Sequence, residues 1–348
     1  MGRNGSLGGN LLYTGHHHRN ICTTIPCKRT DDGGGQMKKF QLLSVGSWAP
    51  FDHLFKMSHY PQEGETITIE TSGSGVSQVY FGDCSINLAY VAAALGTSTS
   101  LATIVGHDFD TFGYRAHLEQ GGVDLSGLTV KPDLPSGHNY LYFDDQGKGF
   151  CFSYLGAAEH QEEERIPDGL AAKAEHVVVS EKFSSYTLDA LREARAAGAR
   201  TYVNGMVETA GNLLDDFLSL TDVMFINESE YGRLIAKIGG NELSLFEKYG
   251  LELIFMTMGM RGCKVIRADK TEIVPVVRRE HVVDTTGAGD SFAGGAIAAL
   301  IKGCKPRIAA QVGATVSSFI IEAWGCQSNV PDWGRMRVRY REYFGDEL

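Results

Sequence analysis

The sequence predicts an α/β fold: a central, mostly parallel β-sheet flanked by helices, with a small β-sheet lid. Three observations carry the prediction. From His176 onward, apolar strands alternate with amphipathic helices, the rhythm of βαβ units whose sheet is covered on both faces. Two patches, at about 50–80 and 130–155, instead alternate polar and apolar residues at period two, as half-exposed strands do. Lastly, the stretch VVDTTGAGDSFAGG at 282–295 packs glycines just ahead of an apolar helical run.

Taken in order, FQLLSVGSW from Phe40 reads as a first core strand ended by Gly46 and Ser47. TITIET and QVYFG follow as an antiparallel pair around an SGSG turn. INLAYVAAALG has helical spacing and stops at Gly96, SLATIVG is a buried strand, and FGYRAHLEQ is a helix ended by Gly121–Gly122. NYLYFDD and GKGFCFSYLG form a second antiparallel patch turning at Gln146–Gly147. Then come strand HVVVS, helix TLDALREARAAG, strand RTYVN, helix LLDDFLSL, strand DVMFIN, helix ESEYGRLIAKI and strand LELIFMTMG. Ala314 to Trp324 reads as an apolar helix. One domain is placed on residues 37–345, with no internal repeat. Residues 1–36, glycine-rich and aperiodic, read as a disordered extension ahead of Met37, and His16, His17, His18, Cys22 and Cys27 within it match no zinc spacing.

With 348 residues, 43% of them hydrophobic, the chain can bury a sizeable core. A formal charge of −10 without a Lys/Arg block argues against nucleic-acid binding, while leaving room for a small anion held by backbone dipoles. Seven cysteines, an odd count with no short paired spacing except Cys22 and Cys27, fit reduced thiols. No apolar run approaches the roughly 20 residues of a membrane helix, so a cytoplasmic protein is expected.

In the glycine stretch, Gly287, Ala288 and Gly289 stand at a helix N-terminus, where amides are unpaired and the helix field is positive. Small side chains let an anion approach those amides, which makes a phosphate cradle without a lysine. Asp290 falls in the first helical turn. The residues alone leave two roles open: a helix-capping acid, or a general base taking the proton of an attacking hydroxyl. Neither a Walker A motif nor a G-x-G-x-x-G fingerprint is present.

The chain resembles the ribokinase-like (PfkB) family of sugar and nucleoside kinases. The resemblance rests on five ordered motifs: FGDCSINLAYVAAALG, VGHDFDTFG at 105–113, INESE at 226–230, TMGMRG at 257–262 and DTTGAGDSFAGG. It implies a ribokinase-like fold, ATP and Mg²⁺, and transfer of the γ-phosphoryl group to a hydroxyl. By motif match, Asp290 becomes the catalytic base and the amides of Gly287, Ala288 and Gly289 an anion hole. Asn227 and Glu230 stand where the family organises Mg²⁺ through water, and Thr257, Gly259 and Gly262 where the nucleotide lies. Asp284 and Thr286, with Gly325 and Asn329 from FIIEAWGCQSNVP, match a K⁺ site found in many members. At the acceptor end Asp52 matches an aspartate that holds two sugar hydroxyls, with Gly82 and Asn87 beside it. Two departures stand out: Asp83 replaces the second of two paired glycines, and VNG at 203–205 replaces an Asp-containing strand end.

Within the family, GHDFDTFGYRAHL, LGAAEHQ and EAWGCQSNVPDW resemble the archaeal-type broad-specificity nucleoside kinases, which implies phosphorylation of a nucleoside 5′-hydroxyl. The alternatives are a free-sugar kinase acting on ribose or a hexose, and a catalytically silent ligand-binding or regulatory protein. The partners expected are a small-molecule nucleoside or sugar, no nucleic acid and no membrane. Lid strands with exposed edges could pair two subunits into a homodimer.

Overall fold

The computed structural model describes residues 38–71, 79–144, 149–345 and 348. The N-terminal extension and the two expected lid turns, SGSG and Gln146–Gly147, lie outside these residues.

The strands are β1 (Phe40–Val45), β2 (Phe51–Lys56), β3 (Glu70–Thr71), β4 (Val79–Phe81), β5 (Thr99–Gly106), β6 (Val123–Lys131), β7 (His138–Phe143), β8 (Gly149–Tyr154), β9 (Ala174–Ser180), β10 (Arg200–Asn204), β11 (Val223–Asn227), β12 (Leu253–Thr257), β13 (Cys263–Ile266) and β14 (Thr271–Val274). The helices are α1 (Cys84–Ala94), α2 (Asp108–Thr111), α3 (Tyr114–Gln120), α4 (Ser185–Ala196), α5 (Leu214–Ser219), α6 (Glu228–Ile238), α7 (Glu242–Glu247), α8 (Ala288–Ile301), α9 (Pro306–Ile320) and α10 (Trp333–Phe344).

Nine strands form the main sheet in the order β14-β13-β12-β11-β10-β9-β1-β5-β6. Neighbours from β6 to β12 pair in parallel, and only the β12–β13–β14 edge is antiparallel. Alternate residues of each central strand feed two different cores. Leu43, Val45, Val177 and Val179 pack with Tyr186, Leu191, Phe217 and Leu234. Leu42, Val178, Phe225 and Phe255 pack with Leu88, Phe292, Val312 and Met336. Helix α8 has no polar face because it lies between α1 and α9, and glycines set the spacing. A Cβ at Gly313 would stand 2.6 Å from the Phe292 carbonyl oxygen, and one at Gly295 2.9 Å from Val316.

The lid is a second sheet, ordered β3-β2-β7-β8, with β4 also paired to β2. Its pleat separates two faces. Asp52, Asn139, Leu141, Cys151 and Ser153 line a cavity beneath it, whereas Tyr140, Phe150, Phe152 and Tyr154 are 37%, 49%, 63% and 52% exposed. Rings stack across the strands, His53 on Tyr140 and Phe55 on Tyr142. His138 joins lid to body, its Nε2 lying 3.1 Å from Asp108 Oδ2 and its Nδ1 2.9 Å from His53 Nε2.

Several sequence expectations are corrected. TITIET and QVYFG do not pair with each other: only Glu70–Thr71 and Val79–Phe81 are strands, each antiparallel to β2. Strand β2 itself was not expected, because Asp52 and His53 interrupt its apolar run. Strand β6, helix α7 and the β13–β14 hairpin were also unread. The C-terminal apolar helix starts at Pro306 and ends at Ile320, short of Trp324. Among the described residues, no helix is long and apolar enough to cross a membrane.

Candidate active site

The predicted site residues gather at the carboxyl ends of the strands, where ligands of open parallel sheets bind. Three adjoining cavities lie there. One, of 340 Å³, sits under the lid and includes Asp52, Asn87 and Asp290. A second, of 150 Å³, is lined by Asn204, Asn227, Glu230, Thr257, Gly289 and Asp290 among others. The third, of 390 Å³, is apolar and runs past Gly259, Gly262, Val277, Gly289, Phe292 and Ala314. Asp290 belongs to the first two and Gly289 to the last two, so the first turn of α8 is where all three meet.

Gly287 caps α8 with φ +72°, a left-handed conformation that suits glycine, and a Cβ there would meet Cys326 at 2.7 Å. Ala288, Gly289 and Asp290 are the first three helical residues. A Cβ on Gly289 would meet nothing within 4 Å, so its backbone faces open space. The two oxygens of Asp290 accept from Asn204 Nδ2 at 3.1 Å and Asn87 Nδ2 at 3.4 Å. Burial raises its carboxyl above the usual range, against those amides and the Cys84 thiol, which favour the charged form. Asn204 is the residue of the VNG departure. Asn87 in turn accepts from Gln327 Nε2 at 2.9 Å, and Tyr114 beside Gln327 donates to the Gly82 carbonyl at 2.7 Å.

Asp52 is 2% exposed. Its Oδ1 accepts from Asn139 Nδ2 at 2.9 Å, and the Cys326 thiol lies 3.6 Å from Oδ2. Burial pushes its carboxyl up to about 7, opposed by those two donors and aided by the charges of Asp284 and Asp83. Gly82 backs directly onto it: a Cβ there would stand 2.3 Å from Oδ2. Asp83 does not crowd the cavity with free oxygens. With φ 76° it occupies a glycine-like conformation, and its carboxylate accepts from Ser85 N at 3.0 Å, Ile86 N at 3.2 Å and Trp48 N at 2.8 Å. The missing glycine is replaced by a cap that fixes α1 and the turn after β1.

Asn227 and Glu230 meet where a strand passes into a helix. Asn227 ends β11 and caps α6, and the two form a capping box: Glu230 N to Asn227 Oδ1 at 2.9 Å, Asn227 N to Glu230 Oε2 at 3.0 Å. Burial and the neighbouring Glu208 raise the Glu230 carboxyl. Glu181 was missed by the sequence analysis. It follows β9 with φ 68° and bonds Cys84 N at 2.8 Å through Oε1, while Oε2 is buried without a partner. No cationic side chain lines this cavity, whose carboxylates are Glu181, Glu230 and Asp290. Hard oxygen donors around an orphaned carboxylate oxygen fit Mg²⁺. Among the described residues no three His, Cys, Asp or Glu side chains could hold an ion by themselves.

The structure brings Asp284, Thr286 and Gly325 together. Asp284 Oδ1 accepts from Thr286 N at 2.9 Å and Thr286 Oγ1 at 2.7 Å, and Oδ2 from Gly325 N at 3.0 Å. Asn329 is not part of this group; its amide donates to the Phe319 carbonyl at 2.8 Å and accepts from Arg335 at 3.0 Å.

The profile of the family described as pfkB family carbohydrate kinase matches residues 73–333. The chain belongs to the pfkB family. It is therefore a phosphotransferase with a hydroxyl acceptor. This pfkB kinase is similar to the nucleoside kinase of Methanocaldococcus jannaschii, 25% identical over 312 residues that cover 89% of this chain and 99% of the relative. It is also similar to the nucleoside kinase of Methanothermobacter thermautotrophicus, 27% identical over 316 residues covering 88% and 97%. Among solved structures, that of the Methanocaldococcus jannaschii nucleoside kinase has a TM-score of 0.77 at 24% identity, covering 89% of this chain and all of that one. A Burkholderia thailandensis nucleoside kinase in complex with inosine also reaches 0.77, at 21% identity, covering 88% and 99%. These two structures establish the ribokinase-like fold.

Proposed function

We propose that this pfkB kinase transfers the γ-phosphoryl group of ATP to the 5′-hydroxyl of a purine or pyrimidine nucleoside, giving the monophosphate and ADP. The observation that carries the reading is the 340 Å³ cavity holding Asp52 and Asp290 together. Its volume falls in the range of about 300–1,000 Å³ for drug-sized ligands. Trp48, Leu141 and Met206 add an apolar wall for a base that a free sugar would leave uncovered. Asp52 accepts two hydrogen bonds from the ribose diol. Asp290 takes the 5′-hydroxyl proton as that oxygen bonds to phosphorus and the bond to the ADP oxygen breaks. The amides of Gly287, Ala288 and Gly289 receive the negative charge that develops on the transferring group.

Thr257, Gly259 and Gly262 border the apolar cavity proposed for adenine. Glu230 and Glu181 would hold Mg²⁺ through its waters, and that ion would neutralise charge on the transferring phosphate. A K⁺ proposal rests on Asp284, Thr286 and Gly325 without Asn329. Cys84, Cys151, Cys263 and Cys326 are free thiols, which supports a cytoplasmic setting. An ATP-consumption screen over nucleosides and free sugars tests the acceptor. Turnover of nucleosides is expected, and activity on ribose with none on any nucleoside would sink the reading.

The exposed aromatic face of the lid further supports a homodimer formed through it. Sedimentation velocity should give a dimer for the wild type and a monomer for Phe152→Glu, which places a charge at the 63% exposed centre of that face. A wild-type monomer at tens of micromolar protein would remove the dimer.

A further inference from the structure

Three side chains that no motif singled out stand in a row behind Asp52. Trp48 Nε1 donates to Ser153 Oγ at 3.0 Å, Ser153 Oγ donates to Asn139 Oδ1 at 2.6 Å, and Asn139 Nδ2 donates to Asp52 Oδ1 at 2.9 Å. Strand register places the last two links directly: Asn139 faces Ser153 across β7–β8 and Asp52 across β7–β2. All four residues line the acceptor cavity. The far end is tied to the body, since Trp48 N donates to Asp83.

The direction of the row follows from which groups can donate. An indole N–H only donates, so Ser153 must accept from Trp48 and give its one proton onward. Asn139 Oδ1 receives that proton, which turns its amide N–H₂ toward Asp52. The amide orientation is thus fixed by the chemistry of its neighbours. Every hydrogen is then donated toward Asp52, and bonds in series polarise one another. An ionised carboxylate, an acceptor only, is the partner that completes such a row. Burial works against that charge, so the row opposes what burial does.

We infer that Asn139 is a positioning residue for the acceptor, one that Ser153 and Trp48 orient so that Asp52 is drawn toward its ionised form and made ready to accept the two hydroxyls of the acceptor. The inference rests on the reading of Asp52 as the acceptor grip. Two strands of the lid and the turn after β1 each supply one member, so the row is complete only with the lid seated on the body.

The test uses the full-length enzyme with ¹³C-labelled aspartate carboxyls, following the Asp52 titration by NMR without acceptor, the signal assigned by its loss in Asp52→Asn. The titratable groups facing Asp52 are Asp83, Asp284, Tyr114, Cys326 and Cys151. None is altered in Asn139→Ala, Ser153→Ala or Trp48→Phe. In Asn139→Ala the Asp52 midpoint should rise by about one pH unit, the scale expected for a lost hydrogen bond to a charged group. Ser153→Ala, on an exposed strand that tolerates the change, should move it the same way by less. With adenosine and inosine as acceptors, Asn139→Ala should raise KM about tenfold at pH 7 with kcat within about twofold, and the gap should narrow by pH 9. An Asp52 midpoint unmoved in both Asn139→Ala and Ser153→Ala overturns the inference. A midpoint that moves while neither acceptor's KM changes instead overturns Asp52 as the acceptor grip, and the reading beneath it.

Discussion

Asp290→Asn is expected to lower kcat by about 10²–10⁴-fold while KM for ATP and acceptor stays within about threefold. The substitution keeps the side-chain shape while removing the capacity to take a proton. It also sets an amide against the amides of Asn204 and Asn87, which in the wild type aim their hydrogens at the two carboxylate oxygens. Those amides favour the charged base, while burial pulls it the other way and raises the carboxyl above its ordinary range. A base raised toward the working pH is better matched to a hydroxyl proton. Because the carboxylate is the active form, turnover should fall as pH drops through the raised value. Steady-state kinetics with calorimetric binding of each substrate checks this. Equal turnover by wild type and Asp290→Asn would leave the residue a helix-capping acid.

Asp52→Asn should cost about 10²-fold or more in kcat/KM for the acceptor, from exchanging charge-assisted hydrogen bonds for neutral ones. The wild-type kcat/KM should carry an acid limb near pH 7, rising as Asp52 ionises, and that limb should vanish in the variant. Stability should respond in the opposite sense. A carboxyl whose folded value is about 7 against 3.8 unfolded keeps its proton in the folded state while the unfolded chain has lost it. Folded wild type therefore loses stability as pH rises between those values, by about 4 kcal/mol in all at most. Asp52→Asn has no such loss. Melting temperatures of the two should diverge between pH 5 and 8, the variant being the more stable at pH 8. Parallel melting curves across that range would show that Asp52 is ionised throughout and not held near neutrality.

The expectations that held came from segments whose chemistry is local. Alternating βαβ stretches announce a parallel sheet because each strand is buried on both sides, and the glycines ahead of α8 announce a helix start because Gly287 takes the left-handed cap conformation. Residues whose role depends on a distant partner were silent. Asp52 was matched, but its strand was not, because Asp52 and His53 break the apolar alternation that marks a strand and belong to opposite faces of it. Asn204 registered only as a departure, since its value comes from Asp290, 86 residues away. Glu181 carries a signal that only backbone angles reveal, a positive φ at a strand end. Asp83 registered only as a replaced glycine, and its four-sided use by backbone and Ser85 donors could not be seen without the turn that Trp48 makes beside it.

The two faces of the lid also limit how this enzyme's lineage can vary. Asp52, Asn139 and Ser153 reach the cavity because they share one parity along three paired strands, while the aromatic rings take the other. One residue gained or lost inside β2 or β7 would exchange the sets, sending Tyr140 inward and the acceptor grip out to solvent. Lid strands can therefore lengthen or shorten only by even steps, with odd changes confined to the turns between them.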